Sequence, residues 1–181
     1  MEQPLKTKSQ IRQSTKAAVR ELSDEQKRSK SALIFKKIVS HTTLATAKTV
    51  ALYAALGDEP QTAEAIATLS ATKRVVLPRV AGNDMEFHPY RVGETERGAF
   101  GIDEPQAAEV IPAEQIDVII VPGVAFTADG NRCGRGKGYY DKYLSRNGFR
   151  GYKIGVCFAE QVVDQMECQE HDIAVDEVIF A

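Results

Sequence analysis

Residues 116–121 read Ile-Asp-Val-Ile-Ile-Val, and Val118, Ile119, Ile120 and Val121 form an unbroken apolar run. Successive side chains of a strand point to opposite faces, so this run has no side to offer water. It belongs inside a parallel sheet that is covered on both faces. Parallel neighbours cannot be joined by tight hairpins and need long crossovers, usually helices. This one segment therefore demands layers above and below a sheet, with helices alternating between strands.

The rest of the chain supplies them. Residues 4–22 read as a helix with Leu5, Ile11, Ala18, Val19 and Leu22 as a loose apolar stripe. Ser23-Asp24-Glu25-Gln26 is a capping-box pattern opening a second helix to about residue 41. Strands are expected over 49–55, 74–80, 85–91, 116–121, 152–158 and 175–180, with turns at Gly57-Asp58-Glu59-Pro60 and Gly82-Asn83-Asp84. Thr62 can cap a short helix to about residue 69, and another helix should run from the Gly-rich loop to about residue 146. Residues 93–113, rich in Gly, Pro and Glu, read as an irregular connection long enough to suggest function. The expectation is one domain over residues 1–181: a three-layer α/β/α fold with a mainly parallel central sheet.

Composition narrows the function classes. A chain of 181 residues that is 43% hydrophobic and 27% charged folds, and a formal net charge of −2 disfavours a nucleic-acid coat. Charge is uneven: residues 1–40 hold ten Lys and Arg against four Asp and Glu, so the amino-terminal helices can bind an anion or present a solvated face. No run approaches the ~20 apolar residues of a membrane span, and the first twenty residues lack the apolar core of a signal peptide. Three cysteines (Cys133, Cys157, Cys168) without a CxxC pair suggest free thiols in a reducing, cytoplasmic setting, and His41, His88 and His171 show no zinc spacing.

The chemistry concentrates in Asp129-Gly-Asn-Arg-Cys-Gly-Arg-Gly-Lys-Gly-Tyr-Tyr-Asp141. Gly134, Gly136 and Gly138 alternate with Arg135 and Lys137, after a buried strand and before a helix. Glycines let a ligand approach backbone amides, and the cations neutralise charge, so a phosphate site outweighs a hairpin with solvated charges. The loop is neither a Walker A motif, because Asn131 and Gly138 stand where Gly and Ser/Thr belong, nor a GxGxxG, because Tyr139 replaces the last Gly. Asp141 is placed to serve Mg²⁺ or to favour a helix start, and Asp172 is a second acid or a turn residue. Lys8 and Arg12, four apart on one helix face, can clamp a polyphosphate or simply aid solubility, and Glu59 in its turn can bind a polar ligand.

The run from Val121 to Leu144, Val-Pro-Gly-Val-Ala-Phe-Thr-Ala-Asp-Gly-Asn-Arg-Cys-Gly-Arg-Gly-Lys-Gly-Tyr-Tyr-Asp-Lys-Tyr-Leu, closely resembles the signature of the 5-formyltetrahydrofolate cyclo-ligase family. Other elements resemble the family in order: residues 8–12, Tyr53 with Glu59-Pro-Gln-Thr62, Phe100-Gly-Ile-Asp-Glu-Pro105, and His171-Asp172 with Val175-Asp-Glu-Val178. The resemblance implies ATP- and Mg²⁺-dependent conversion of 5-formyltetrahydrofolate to 5,10-methenyltetrahydrofolate. It also implies that Lys8, Ser9, Gln10, Ile11, Arg12 and Arg132, Cys133, Gly134, Arg135, Gly136, Lys137, Gly138, Tyr139 and Tyr140 contact ATP. By the same likeness Ala54, Glu59, Arg135, Gly136, Lys137, Gly138 and Tyr139 contact the folate, and Asp141 and Asp172 hold Mg²⁺. Arg135 and Lys137 would supply the charge stabilisation that phosphoryl transfer needs. The chain departs from the family pattern in having no Trp and in lacking an Asp directly after Phe126. The partners expected are small molecules, reduced folate and ATP, with neither nucleic acid nor membrane, and the expected state is a monomer. Competing readings are a sugar-phosphate isomerase on a similar fold, which needs no ATP, and a non-catalytic folate- or RNA-binding protein.

Overall fold

The structure, a computed structural model, describes residues 5–98 and 101–181. Pro4 and Phe100, named above, lie outside the described residues. Helix α1 (Lys8–Arg20) starts at Thr7, whose hydroxyl accepts from the Gln10 N–H while the Gln10 side chain accepts from the Thr7 N–H. This capping box explains why the helix begins after residue 7 rather than at residue 4. Helix α2 (Asp24–Val39) opens on the expected box of Ser23 and Gln26. It ends at Val39, near the expected end, and His41 then caps a further short helix, α3 (Thr42–Thr46), that was not expected from the sequence.

Strand β1 (Thr49–Ala51) is followed by α4 (Ala63–Ser70), β2 (Arg74–Ala81) and β3 (Asp84–Pro89). The ladder of β1 ends early because the chain folds back: the Thr62 hydroxyl donates to the Tyr53 carbonyl at 2.6 Å, and the Tyr53 hydroxyl donates to the Pro60 carbonyl at 2.8 Å. Thr62 therefore spends its hydroxyl on the preceding strand and makes no side-chain cap on α4. The connection read as irregular contains a small hairpin of β4 (Thr95–Arg97) and β5 (Asp103–Pro105). Then come β6 (Val118–Pro122), a two-residue ribbon of β7 (Ala125–Phe126) with β8 (Arg132–Cys133), the six-residue α5 (Tyr139–Leu144), β9 (Tyr152–Cys157) and β10 (Glu177–Phe180).

The main sheet runs β10-β9-β6-β1-β2-β3, with β3 alone antiparallel to its neighbour. The apolar run of β6 sits near its centre, buried throughout. Its side chains divide by the two-residue period: Val118 and Ile120 pack with Ile34, Phe35 and Ile38 of α2 and Ile66 and Leu69 of α4. Ile119 and Val121 pack on the other face with Tyr143 and Leu144 of α5 and with Phe126. Three layers result, as expected, but the second outer layer is only partly helical, the β7–β8 ribbon filling the rest. A Cβ at Gly155 would come 2.5 Å from the Phe126 ring, so this glycine lets the ribbon lie directly on β9. Among the described residues no helix is long and apolar enough to cross a membrane.

Candidate active site

Five parallel strands end on one side of the sheet, and the loops leaving them enclose a cavity of about 420 Å³. One wall is charged. The β7–β8 ribbon carries Arg132 into it, α1 contributes Lys8 and Arg12, and residues 134–141 form the floor. The part of the lining that comes from the β2–β3 hairpin, β5 and the residue before β5 is mostly apolar: Pro78, Val80, Met85 and Ile102, with Glu104 among them. Tyr53, Ala54, Leu56 and Glu59 lie between.

Each cation has a distinct setting. Arg12 donates from Nε to the Gly134 carbonyl at 2.7 Å, which ties α1 to the Gly-rich loop. Lys8 pairs with Asp172, whose Oδ2 also accepts from the Gln169 N–H at 2.6 Å. Burial pushes the Asp172 carboxyl up, but the hydrogen bonds from Lys8 and the Gln169 N–H together with the charge of Lys8 outweigh it, and the pKa lies below the usual range. Arg132 is buried, donates to Asp141 Oδ2 at 3.0 Å, and lies 5.5 Å from the centroid of the Tyr140 ring. Its Nε has no hydrogen-bond partner among the described residues. Arg135 donates to Glu59 Oε1 from Nε at 3.1 Å and from Nη2 at 2.9 Å, and grips Asp58 with the same fork. Burial raises the Glu59 carboxyl above its usual value even though the Leu56 N–H and Arg135 pull the other way. Burial also pushes Asp58 up, but there Arg135 prevails and holds it low. Lys137 is exposed at the mouth, and among the described residues no ion-pair or hydrogen-bond partner holds its ammonium. Gly138, with φ of 70°, takes the left-handed turn that starts α5.

The structure thus brings together Lys8, Arg12, Ala54, Glu59, Arg132, Asp172 and residues 134–141 from four separate stretches of chain. Four residues expected to contact ATP do not line the cavity. Ile11 is fully buried against Ala125, Cys133 and Met166, because a helix face that carries Lys8 and Arg12 outward must turn Ile11 inward. Gln10 is engaged in the cap, Ser9 is exposed, and Cys133 is buried with its thiol against the Lys8 and Gly134 carbonyls. Sequence reasoning missed the hairpin wall: Pro78 inside a strand was the only local signal, and Val80 and Met85 look like ordinary strand residues.

Metal chemistry has a donor set of two carboxylates here. Asp141 takes Arg132 on Oδ2 and the Ile173 N–H on Oδ1 at 3.1 Å, while Asp172 leaves Oδ1 with only His171 nearby, at 4.0 Å. No group of three or more His, Cys, Asp or Glu able to hold a metal occurs among the described residues. Two carboxylates could serve Mg²⁺, which uses one or two such groups and takes its other ligands from phosphate and water.

The model of the 5-formyltetrahydrofolate cyclo-ligase family matches residues 4–181. The chain belongs to that family. It is 29% identical over 185 residues to the 5-formyltetrahydrofolate cyclo-ligase of Mus musculus, covering 94% of this chain and 91% of the relative. It is 34% identical over 143 residues to that of Mycolicibacterium smegmatis, covering 73% of each. Among solved structures it resembles the 5,10-methenyltetrahydrofolate synthetase of Aquifex aeolicus, with a TM-score of 0.87 and 34% identity over 96% of this chain and 89% of that one. The corresponding protein of Mycoplasma pneumoniae gives a TM-score of 0.78 and 26% identity, covering 95% and 97%. In this member of the cyclo-ligase family, cationic and apolar side chains line a single cavity.

Proposed function

We propose that this chain converts 5-formyltetrahydrofolate to 5,10-methenyltetrahydrofolate, with ATP and Mg²⁺, releasing ADP and phosphate. The observation that carries the reading is the cavity itself, whose lining combines cations suited to a triphosphate with apolar side chains suited to a flat pterin. The formyl group on N5 is an amide, and its oxygen leaves poorly. Transfer of the γ-phosphoryl group to that oxygen releases ADP and leaves an iminium phosphate. N10 then attacks the formyl carbon, loses its proton, and phosphate departs with the oxygen. No protein nucleophile takes part.

The residues act by position and charge. Lys137, held by no other residue, meets the phosphoryl group in transfer. Arg12, anchored through Nε, has its two Nη groups left for phosphate oxygens. Arg135 and the backbone of residues 136–139 lie at the junction of the two walls and contact both substrates, with Glu59 and Asp58 setting the direction of Arg135. Asp141 and Asp172 would hold Mg²⁺ jointly with the nucleotide; when bound, the ion neutralises charge on the phosphates. The test is the absorbance of methenyltetrahydrofolate as protein, 5-formyltetrahydrofolate, Mg²⁺ and ATP are mixed. Product should form only with nucleotide and metal both present, and equal product without ATP would overturn the reading.

A further inference from the structure

Glu104 is the one acid of the cavity that the machinery above does not use. It lies on β5 within the apolar wall, only 7% exposed, and among the described residues its side chain has no hydrogen-bond or ion-pair partner. Its position is tightly defined. A Cβ at Gly98 would come 2.2 Å from the Glu104 Cδ and 2.5 Å from Oε1, so the carboxyl end lies directly on the backbone of the neighbouring strand's end. The side chain is largely covered, but its carboxylate oxygens are not sealed off, so a carboxylate without a protein partner is left where a ligand's donors can reach it from the cavity. The other carboxylates are already committed: Glu59 takes Arg135 on Oε1 and the Leu56 N–H on Oε2 at 2.9 Å, Asp141 takes Arg132, and Asp172 takes Lys8.

Resting on the functional reading above, we infer that Glu104 binds the pterin ring, its carboxylate accepting from the ring N3–H and 2-amino group. Those two donors sit side by side on a flat edge, the arrangement a carboxylate matches with two parallel hydrogen bonds. The neighbours favour this ligand over a phosphate or a ribose, since Pro78, Val80, Met85 and Ile102 offer apolar contact for ring faces and no cation for an anion. Glu104 thereby fixes which end of the folate enters first and so brings N5 and N10 toward the Gly-rich loop.

The assignment is tested with the full chain and two folates: 5-formyltetrahydrofolate and its 2-desamino analogue, in which hydrogen replaces the amino group. Calorimetry should show the wild type binding the analogue more weakly. Glu104→Gln keeps the shape but replaces one acceptor by a donor facing the amino group. It should weaken 5-formyltetrahydrofolate by on the order of 10- to 100-fold, the range for hydrogen bonds to a charged group. ATP affinity should stay within twofold, and the preference against the analogue should largely vanish. The melting temperature of the ligand-free variant should equal or exceed that of the wild type, because an unpaired buried carboxylate is gone; a purely structural Glu104 would give the opposite shift. Unchanged folate affinity in Glu104→Gln, or a wild type blind to the amino group, would overturn the assignment and leave the catalytic reading intact. A wild type that binds no 5-formyltetrahydrofolate at all would overturn both.

Discussion

Lys137 and Arg135 sit two positions apart in the same loop and carry the same charge, yet their surroundings separate them. Arg135 is gripped by Glu59 and Asp58, whereas Lys137 lines the cavity with no partner for its ammonium among the described residues. A cation already paired has less to give a developing negative charge than an unpaired one. Lys137→Ala should therefore lower kcat by on the order of 10²-fold or more, with a smaller change in ATP affinity. Lys137→Arg should restore only part, since a planar fork does not replace a compact ammonium. Single-turnover rates at saturating ATP check this, and a rate within about twofold of wild type would remove Lys137 from the mechanism. One variant tests whether Asp141 serves a metal as well as Arg132. Asp141→Asn leaves the buried guanidinium of Arg132 without its counter-charge, and breaking such a pair typically costs about 3–5 kcal/mol. Denaturant unfolding should show that loss, and Mg²⁺ titration of the activity should show weaker metal use. Lost stability with an unchanged Mg²⁺ dependence would make Asp141 a partner of Arg132 alone.

Among the elements, α1 gives the cavity two cations and the main core little beyond Val19. Its buried positions are Ile11, Thr15 and Val19, spaced one turn apart, and Ile11 anchors a small separate cluster with Ala125, Cys133 and Met166. Lys8 and Arg12 flank Ile11 on the cavity side and tie the helix to Asp172 and to the Gly134 carbonyl. Removing the anchor should loosen both cations together. Ile11→Ala should cost about 2–5 kcal/mol and weaken ATP binding as well. Ile34→Ala in α2, an equally buried isoleucine of the main core, should cost similar stability with a smaller effect on ATP. Unfolding and ATP titration of the pair decide: equal effects on ATP would deny α1 a special link to the nucleotide.

At the scale of the molecule, long-range ion pairs hold the cavity's rim, and their pH dependence has a definite sign. Asp58 and Asp172 both titrate below the ordinary value of 3.8, so their contribution to stability is present above that pH and lost as acid protonates them. Glu59 is shifted the other way, above 4.5, so its burial costs stability at neutral pH, a cost relieved as the pH falls through its raised value. Melting temperature should thus stay level or rise slightly on mild acidification and then fall below pH 3.8, as Arg135 and Lys8 lose their partners. Asp172→Asn should flatten part of that acid limb, and an acid limb identical to wild type would show that the Lys8 pair contributes nothing.

Much of this was legible before folding was considered. The apolar run of β6 dictated a covered parallel sheet because no other arrangement buries both of its faces, and the alternation of cations and glycines marked the stretch that lines the cavity. Local chemistry also announced α2 through Ser23 and Gln26. What the sequence could not decide was which distant groups would meet. Whether Thr62 capped α4 or bonded Tyr53, and whether Arg135 stood free or was held by Glu59, depended on side chains brought together by the sheet order. Cys133 and Ile11 belong to recognisable motifs yet turn away from the cavity, since a motif specifies residues but packing chooses their direction. The apolar wall was invisible for the same reason: Pro78, Val80 and Met85 become a site only when the antiparallel turn of β2 and β3 sets them in one cavity with the Gly-rich loop. Short-range patterning determined the layers and marked the Gly-rich loop, and the long-range contacts that closed the cavity were decided by tertiary structure alone, because their partners lie far apart in the chain.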